Sequence, residues 1–130
     1  MGYRLEDIIK REKGRSGSNG AWRVSDEFRL SGPRAKVLWH YGTAMLDWEP
    51  GGENVRLLSL GWGSVSDQNG LQRAFYTLRV QASYARDTRG GGPRVILRGV
   101  GVVPPGTVLS ELERLALVAE IEAKEVAALD

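Results

Sequence analysis

Three apolar runs, at 34–41, 43–48 and 54–60, follow one another so closely that the chain between them has no room for a crossover. A parallel pair needs a connection of about a dozen residues or more, and the links here are Gly42 alone and the stretch EPGGE. The runs must therefore pair antiparallel, as a meander. In the second link proline fixes its own backbone angle and the two glycines accept positive φ, so Pro50-Gly51-Gly52 makes a strong hairpin turn.

Further strand-like segments flank this meander. AWRVSDEFRL at 21–30 is broken by Ser31-Gly32-Pro33, and 94–103 is ended by Pro104-Pro105, where proline removes a ladder donor. Helical spacing occurs three times. Leu5, Ile8 and Ile9 mark a short amphipathic helix within 3–13. Leu71, Ala74, Phe75, Leu78 and Ala82 form one stripe of a second helix, with Ser66 and Asp67 placed to cap it. Ser110 and Glu113 have the spacing of a capping box before a third helix that runs to 129. In that helix Val108, Leu112, Leu115, Ala119, Val126 and Leu129 keep nearly a heptad spacing, which suits packing on a sheet or a seam between two copies. The glycine- and serine-rich 14–20 and 87–93 read as connectors.

These signals predict an α+β fold, a small mainly antiparallel sheet of about four or five strands with two helices packed on it, one of them C-terminal. At 130 residues the chain is expected to be a single domain, its first 20 residues a short helix and a flexible connector.

Composition narrows the chemistry. Cysteine is absent, which removes disulfides, thiolate zinc sites and cysteine nucleophiles, and His40 is the sole histidine, so no metal site and no cofactor are expected. No apolar run approaches the roughly 20 residues that span a bilayer, and the first 13 residues are too charged for a signal peptide, so a cytoplasmic protein without membrane contact is expected. Charge is polarised: residues 1–36 hold nine Lys and Arg against five acids, a net of +4, and residues 107–130 hold two against six, a net of −4.

Catalytic motifs are not found. Around Ser64 the sequence Trp62-Gly63-Ser64-Val65-Ser66 lacks both glycines of a nucleophile elbow, and no triad is assignable to His40, which reads as a packing residue between Trp39 and Tyr41. The 61–67 loop precedes a helix as a phosphate cradle would, but it lacks the Walker lysine, and Asp67 would repel phosphate. The chain is therefore not expected to be an enzyme. Binding has more support: Trp62, Tyr76 and Tyr84 can stack on bases, and Arg73, Arg79, Arg86, Arg89, Arg94 and Arg98 can meet phosphate. Trp62, Arg86, Arg89 and Arg94, in or beside glycine-rich loops, are the candidate binding residues.

Tyr41-Gly42-Thr43 with Trp48, then Leu58-Ser59-Leu60-Gly61-Trp62, then Ser64-Val65-Ser66-Asp67-Gln68-Asn69-Gly70 opening a helix, resembles a recurrent pattern in short accessory proteins of tailed bacteriophages. The resemblance covers residues 37–82. It carries no catalytic residue and implies a non-enzymatic protein acting in the cytoplasm of a bacterial host. Such a protein would bind and inhibit a host protein or protein–nucleic-acid complex, such as a defence or nucleic-acid-processing system. Direct nucleic-acid binding through the arginines and aromatics is the alternative, and the C-terminal helix is a candidate homodimer contact.

Overall fold

The computed structural model describes residues 4–10, 17–19, 21–28, 34–86 and 92–129. Two antiparallel sheets and three helices make an α+β fold. The first sheet holds β1 (Gly17–Asn19), β2 (Trp22–Phe28), β3 (Arg34–His40), β4 (Thr43–Glu49) and β5 (Glu53–Leu57), its spatial order the same as the chain order. The second holds β6 (Ala82–Ala85), β7 (Arg94–Leu97) and β8 (Gly101–Val103). The helices are α1 (Leu5–Lys10), α2 (Val65–Thr77) and α3 (Leu109–Ala128). None of the described helices is long and apolar enough to cross a membrane.

The meander forms where the short links require it. Tyr41 and Gly42 turn β3 into β4 with His40 opposite Thr43, and Tyr41 takes a φ of 55°. Glu49 stands opposite Glu53 across 50–52, where Gly51 and Gly52 have φ of 93° and 82° and the Gly52 amide donates to the Glu49 carbonyl at 3.0 Å. Along β2, Trp22 and Val24 are buried and Arg23 is exposed, the alternation of a strand with one wet face. In β4 the run Met45 to Trp48 is buried without alternation, so the centre of this sheet is covered on both sides.

One core joins the layers. Leu5, Ile8 and Ile9 of α1 and Leu71, Ala74 and Phe75 of α2 pack with Val24, Leu38, Leu46, Val55 and Leu57 of the first sheet and with Tyr84, Val95 and Leu97 of the second. Each fully buried aliphatic or phenyl side chain contributes on the order of 1.5–3 kcal/mol by leaving water.

Several local expectations are corrected. Ala82 does not continue the α2 stripe; α2 stops at Thr77 and Ala82 begins β6, because Arg79 turns the chain with φ of 60°. The single strand expected at 94–103 is two strands, divided at 98–100, where Gly99 has φ of 81°. Gly17–Asn19, inside the segment read as a connector, pair with β2.

The α3 N-terminus also differs from expectation. No capping box forms; the N-cap is Val108 and makes no side-chain cap bond. Ser110 instead accepts from the Val55 amide at 3.0 Å, and Glu113 accepts from the Gln81 amide at 3.0 Å. Both side chains thus tie α3 to the sheets. An isolated bridge between Arg56 and Val108, with the Leu57 amide donating to the Thr107 carbonyl at 2.9 Å, docks the start of α3 on β5. Contact ends early, and every residue from 117 to 129 is exposed. At about 1.5 Å per residue that is roughly 20 Å of helix whose side chains are open to solvent.

Candidate functional site

The loop between β5 and α2 reverses the chain over Gly61 and Gly63, whose φ of 68° and 81° are left-handed. Gly61 is also needed for space. A Cβ there would lie 2.7 Å from the Asp67 carboxylate. Ser64, not Ser66, is the N-cap of α2: its hydroxyl accepts from the Asp67 amide at 3.0 Å, while the Asp67 carboxylate accepts from the Ser64 amide at 3.1 Å. The capping box is therefore Ser64-x-x-Asp67, which corrects the assignment of the cap to Ser66 and Asp67 and leaves the Ser66 hydroxyl free of that duty.

Asp67 is wholly buried, and its carboxylate also accepts from the Trp62 amide at 2.8 Å and from His40 Nδ1 at 2.6 Å. Burial pushes its pKa up, but the Ser64 amide, His40, the Trp62 amide and the Ser64 hydroxyl together outweigh burial and hold it below the ordinary value. Asp67 is thus an ionised acceptor. In the neutral imidazole Nδ1 then carries the proton and Nε2 accepts, and the Ser66 hydroxyl lies 3.0 Å from Nε2.

Packing fixes the imidazole. Trp22, opposite His40 in the β2–β3 register, stacks on it with ring centroids 4.0 Å apart and planes 8° from parallel. The far edge of the indole lies against Gly70 of α2, where a Cβ would meet Trp22 Cζ2 at 1.9 Å. His40 is 6% exposed, while Ser66 opens to solvent. Ser66 lines a cleft of about 390 Å³ with Leu5, Trp22, Asn69 and Arg73.

The candidate binding residues fall beside this network. Trp62 is 90% exposed. The Arg86 Nε donates to the Gly63 carbonyl at 3.0 Å, and Pro93 lies 3.6 Å from where a Gly63 Cβ would be. Arg94 is exposed opposite Ala85, on the side of the sheet away from the buried Tyr84–Val95 pair, so the structure brings Trp62 and Arg86 together at the loop and does not add Arg94 to them. Arg89 lies outside the described residues. Tyr84 is withdrawn from stacking: it is buried, and its hydroxyl donates to the Leu60 carbonyl at 2.7 Å. Burial, reinforced by the charge of Asp67, raises its pKa.

Sequence reasoning missed the alignment of Ser66, His40 and Asp67. Ser64-x-x-Asp67 could have been read as the capping box, but nothing local joins His40 to a residue 27 positions away. Among the described residues no group of three or more His, Cys, Asp and Glu side chains gathers as a metal site would. The chain matches no protein-family model, and no curated protein or solved structure is significantly similar to it.

Proposed function

We propose that this chain is a phage-type accessory protein that binds and inhibits a host protein complex, with the Trp62 face as its contact surface. The observation that carries the reading is an indole 90% exposed on a loop whose backbone is already fixed. The Trp62 amide is held by Asp67, the Gly61 amide donates to the Ser59 hydroxyl at 3.1 Å, and the Gly63 carbonyl is held by Arg86. A large aromatic on a preorganised loop loses little entropy on binding, and Trp and Arg are the residue types that dominate interface energetics.

Charge favours a protein over bare nucleic acid. Arg86 already spends its Nε on the loop, and α3 carries five glutamates against Arg114 and Lys124. A second contact surface, for a homodimer, is supported by Leu117, Val118, Ile121, Val126 and Leu129, all exposed on the C-terminal part of α3.

Fluorescence anisotropy with labelled DNA and RNA, single- and double-stranded, from about 50 to 200 mM salt tests the main reading, because phosphate contacts weaken steeply over that range. The expected result is no submicromolar, salt-sensitive binding. Capture of a bacterial complex that Trp62→Ala abolishes supports the inhibitor, and tight, salt-dependent oligonucleotide binding transfers the function to nucleic acid.

A further inference from the structure

Beyond the binding surface, we propose that Ser66 is the nucleophile of an acyl-transfer site, with His40 as its base, Asp67 as the residue that positions His40, and short-chain carboxylic esters as the substrate class. This does not rest on the Trp62 face. Three features converge on it: Ser66 Oγ at 3.0 Å from Nε2, Nδ1 at 2.6 Å from a fully buried carboxylate, and a solvent-reachable hydroxyl at the wall of a cleft. A nucleophile needs a base within hydrogen-bond reach, and the base needs a third group to set its tautomer.

The chain holds this line more firmly than a surface serine requires. The Trp22 indole stops the imidazole from rotating, and Gly70 makes room for the indole. Gly61 leaves space for the carboxylate, and the capping box fixes its direction. Val65 and Ser66, the first two residues of α2, line the same cleft, and their amides are first-turn donors that no carbonyl of their own helix can reach. They are the donors available to an oxyanion, and the Asp67 charge in the same turn is already taken up by His40 and the Trp62 and Ser64 amides. Leu5 and Trp22 give the cleft an apolar wall for a short acyl chain, and Asn69 and Arg73 give it a polar one.

The reaction balances with ester and water alone. As Ser66 Oγ bonds to the acyl carbon, its proton passes to His40 Nε2 and the carbonyl π pair moves onto oxygen. The oxyanion collapses, the bond to the alcohol oxygen breaks, and the departing alcohol takes the proton from Nε2. Water then attacks the acyl carbon, giving its proton to Nε2. Ser66 Oγ leaves as the acid forms and recovers that proton.

The test uses the full-length folded chain with an alkyl fluorophosphonate, in which Ser66 Oγ displaces fluoride at phosphorus, and p-nitrophenyl acetate as the ester. The expected result is one adduct, located at Ser66 by tandem mass spectrometry and absent in Ser66→Ala. An acetate-dependent burst of nitrophenol should disappear in the same variant. His40→Gln should slow labelling at least tenfold while circular dichroism is retained. Because the chain has one histidine, its ¹⁵N spectrum is unambiguous. The wild type should carry a proton on Nδ1, directed at Asp67, and Asp67→Asn should release that proton to Nε2 and slow labelling. If His40→Gln fails to fold, the wild-type spectrum decides. A folded wild type that is not labelled at Ser66, or is labelled equally in a folded His40→Gln, or carries its proton on Nε2, overturns the proposal.

Discussion

Gly70→Ala probes the stack behind the site. The added Cβ would lie 1.9 Å from Trp22 Cζ2, 2.3 Å from Cε2 and 2.6 Å from Cη2. Carbon atoms rest at about 3.5–4.0 Å, so the indole must retreat by roughly 1.5–2 Å. His40 blocks that retreat, with ring centroids only 4.0 Å apart, and His40 is itself bound to Asp67. Overpacking of this kind costs about 1–3 kcal/mol. Alanine recovers roughly 0.5–1 kcal/mol over glycine in a helix interior. Because the stack and a buried charged hydrogen bond yield together, the upper part of the range applies, and the net loss is about 2 kcal/mol. Urea unfolding with an m-value of about 1.5 kcal/mol/M should then show the midpoint fall by roughly 1.3 M. Adding Trp22→Leu should relieve the overlap, making the double variant less unstable than the sum of the singles by about 1 kcal/mol. An unchanged or higher midpoint in Gly70→Ala would refute the reasoning, since it would mean the indole has room to move.

Asp67→Ala removes more than a helix cap, which alone would cost about 1 kcal/mol: it removes a buried charge that accepts from His40 and from the Trp62 and Ser64 amides. The loss should reach about 3–5 kcal/mol by thermal unfolding. The pKa of Asp67 is lower in the folded chain than its ordinary value of 3.8, so its stabilisation is complete well above pH 3.8 and is lost as pH falls through that value toward the lowered one. An acid titration of wild type should show this decline, and Asp67→Ala should flatten it. Deleting residues 120–129 should change global stability by no more than about 0.5 kcal/mol while reducing the helical circular dichroism signal. Light scattering should report a dimer at high micromolar concentration that Leu115→Glu with Val126→Glu separates, and a monomeric wild type would remove self-association through α3.

Sequence spacing located the meander because a one-residue link and a Pro-Gly-Gly turn leave few alternatives. The α2 stripe was legible from its apolar period. The second sheet was not, because Ala82 happens to extend that period and only the positive φ of Arg79 ends it. The split of β7 from β8 turns on Gly99, a single residue inside an otherwise strand-like run. At the site, Trp62, Arg86 and Arg94 are chosen from residue type and loop position, and the bond from Arg86 to the Gly63 carbonyl brings the first two together while Arg94 stands opposite Ala85. The line from Ser66 to Asp67 depends on where the end of β3 meets the first turn of α2. That is a tertiary distance with no local signature.

Trp62 also makes the protein optically legible. Of the four tryptophans, Trp22 and Trp48 are buried, Trp39 is half-buried, and Trp62 alone stands almost wholly in water. An indole in water emits at longer wavelength and is open to collisional quenchers, so the red edge of the emission belongs mainly to one side chain. Acrylamide will quench that edge before the rest of the band. Any ligand seated on the Trp62 face will shift it to the blue and shield it, reporting occupancy of the surface without a label.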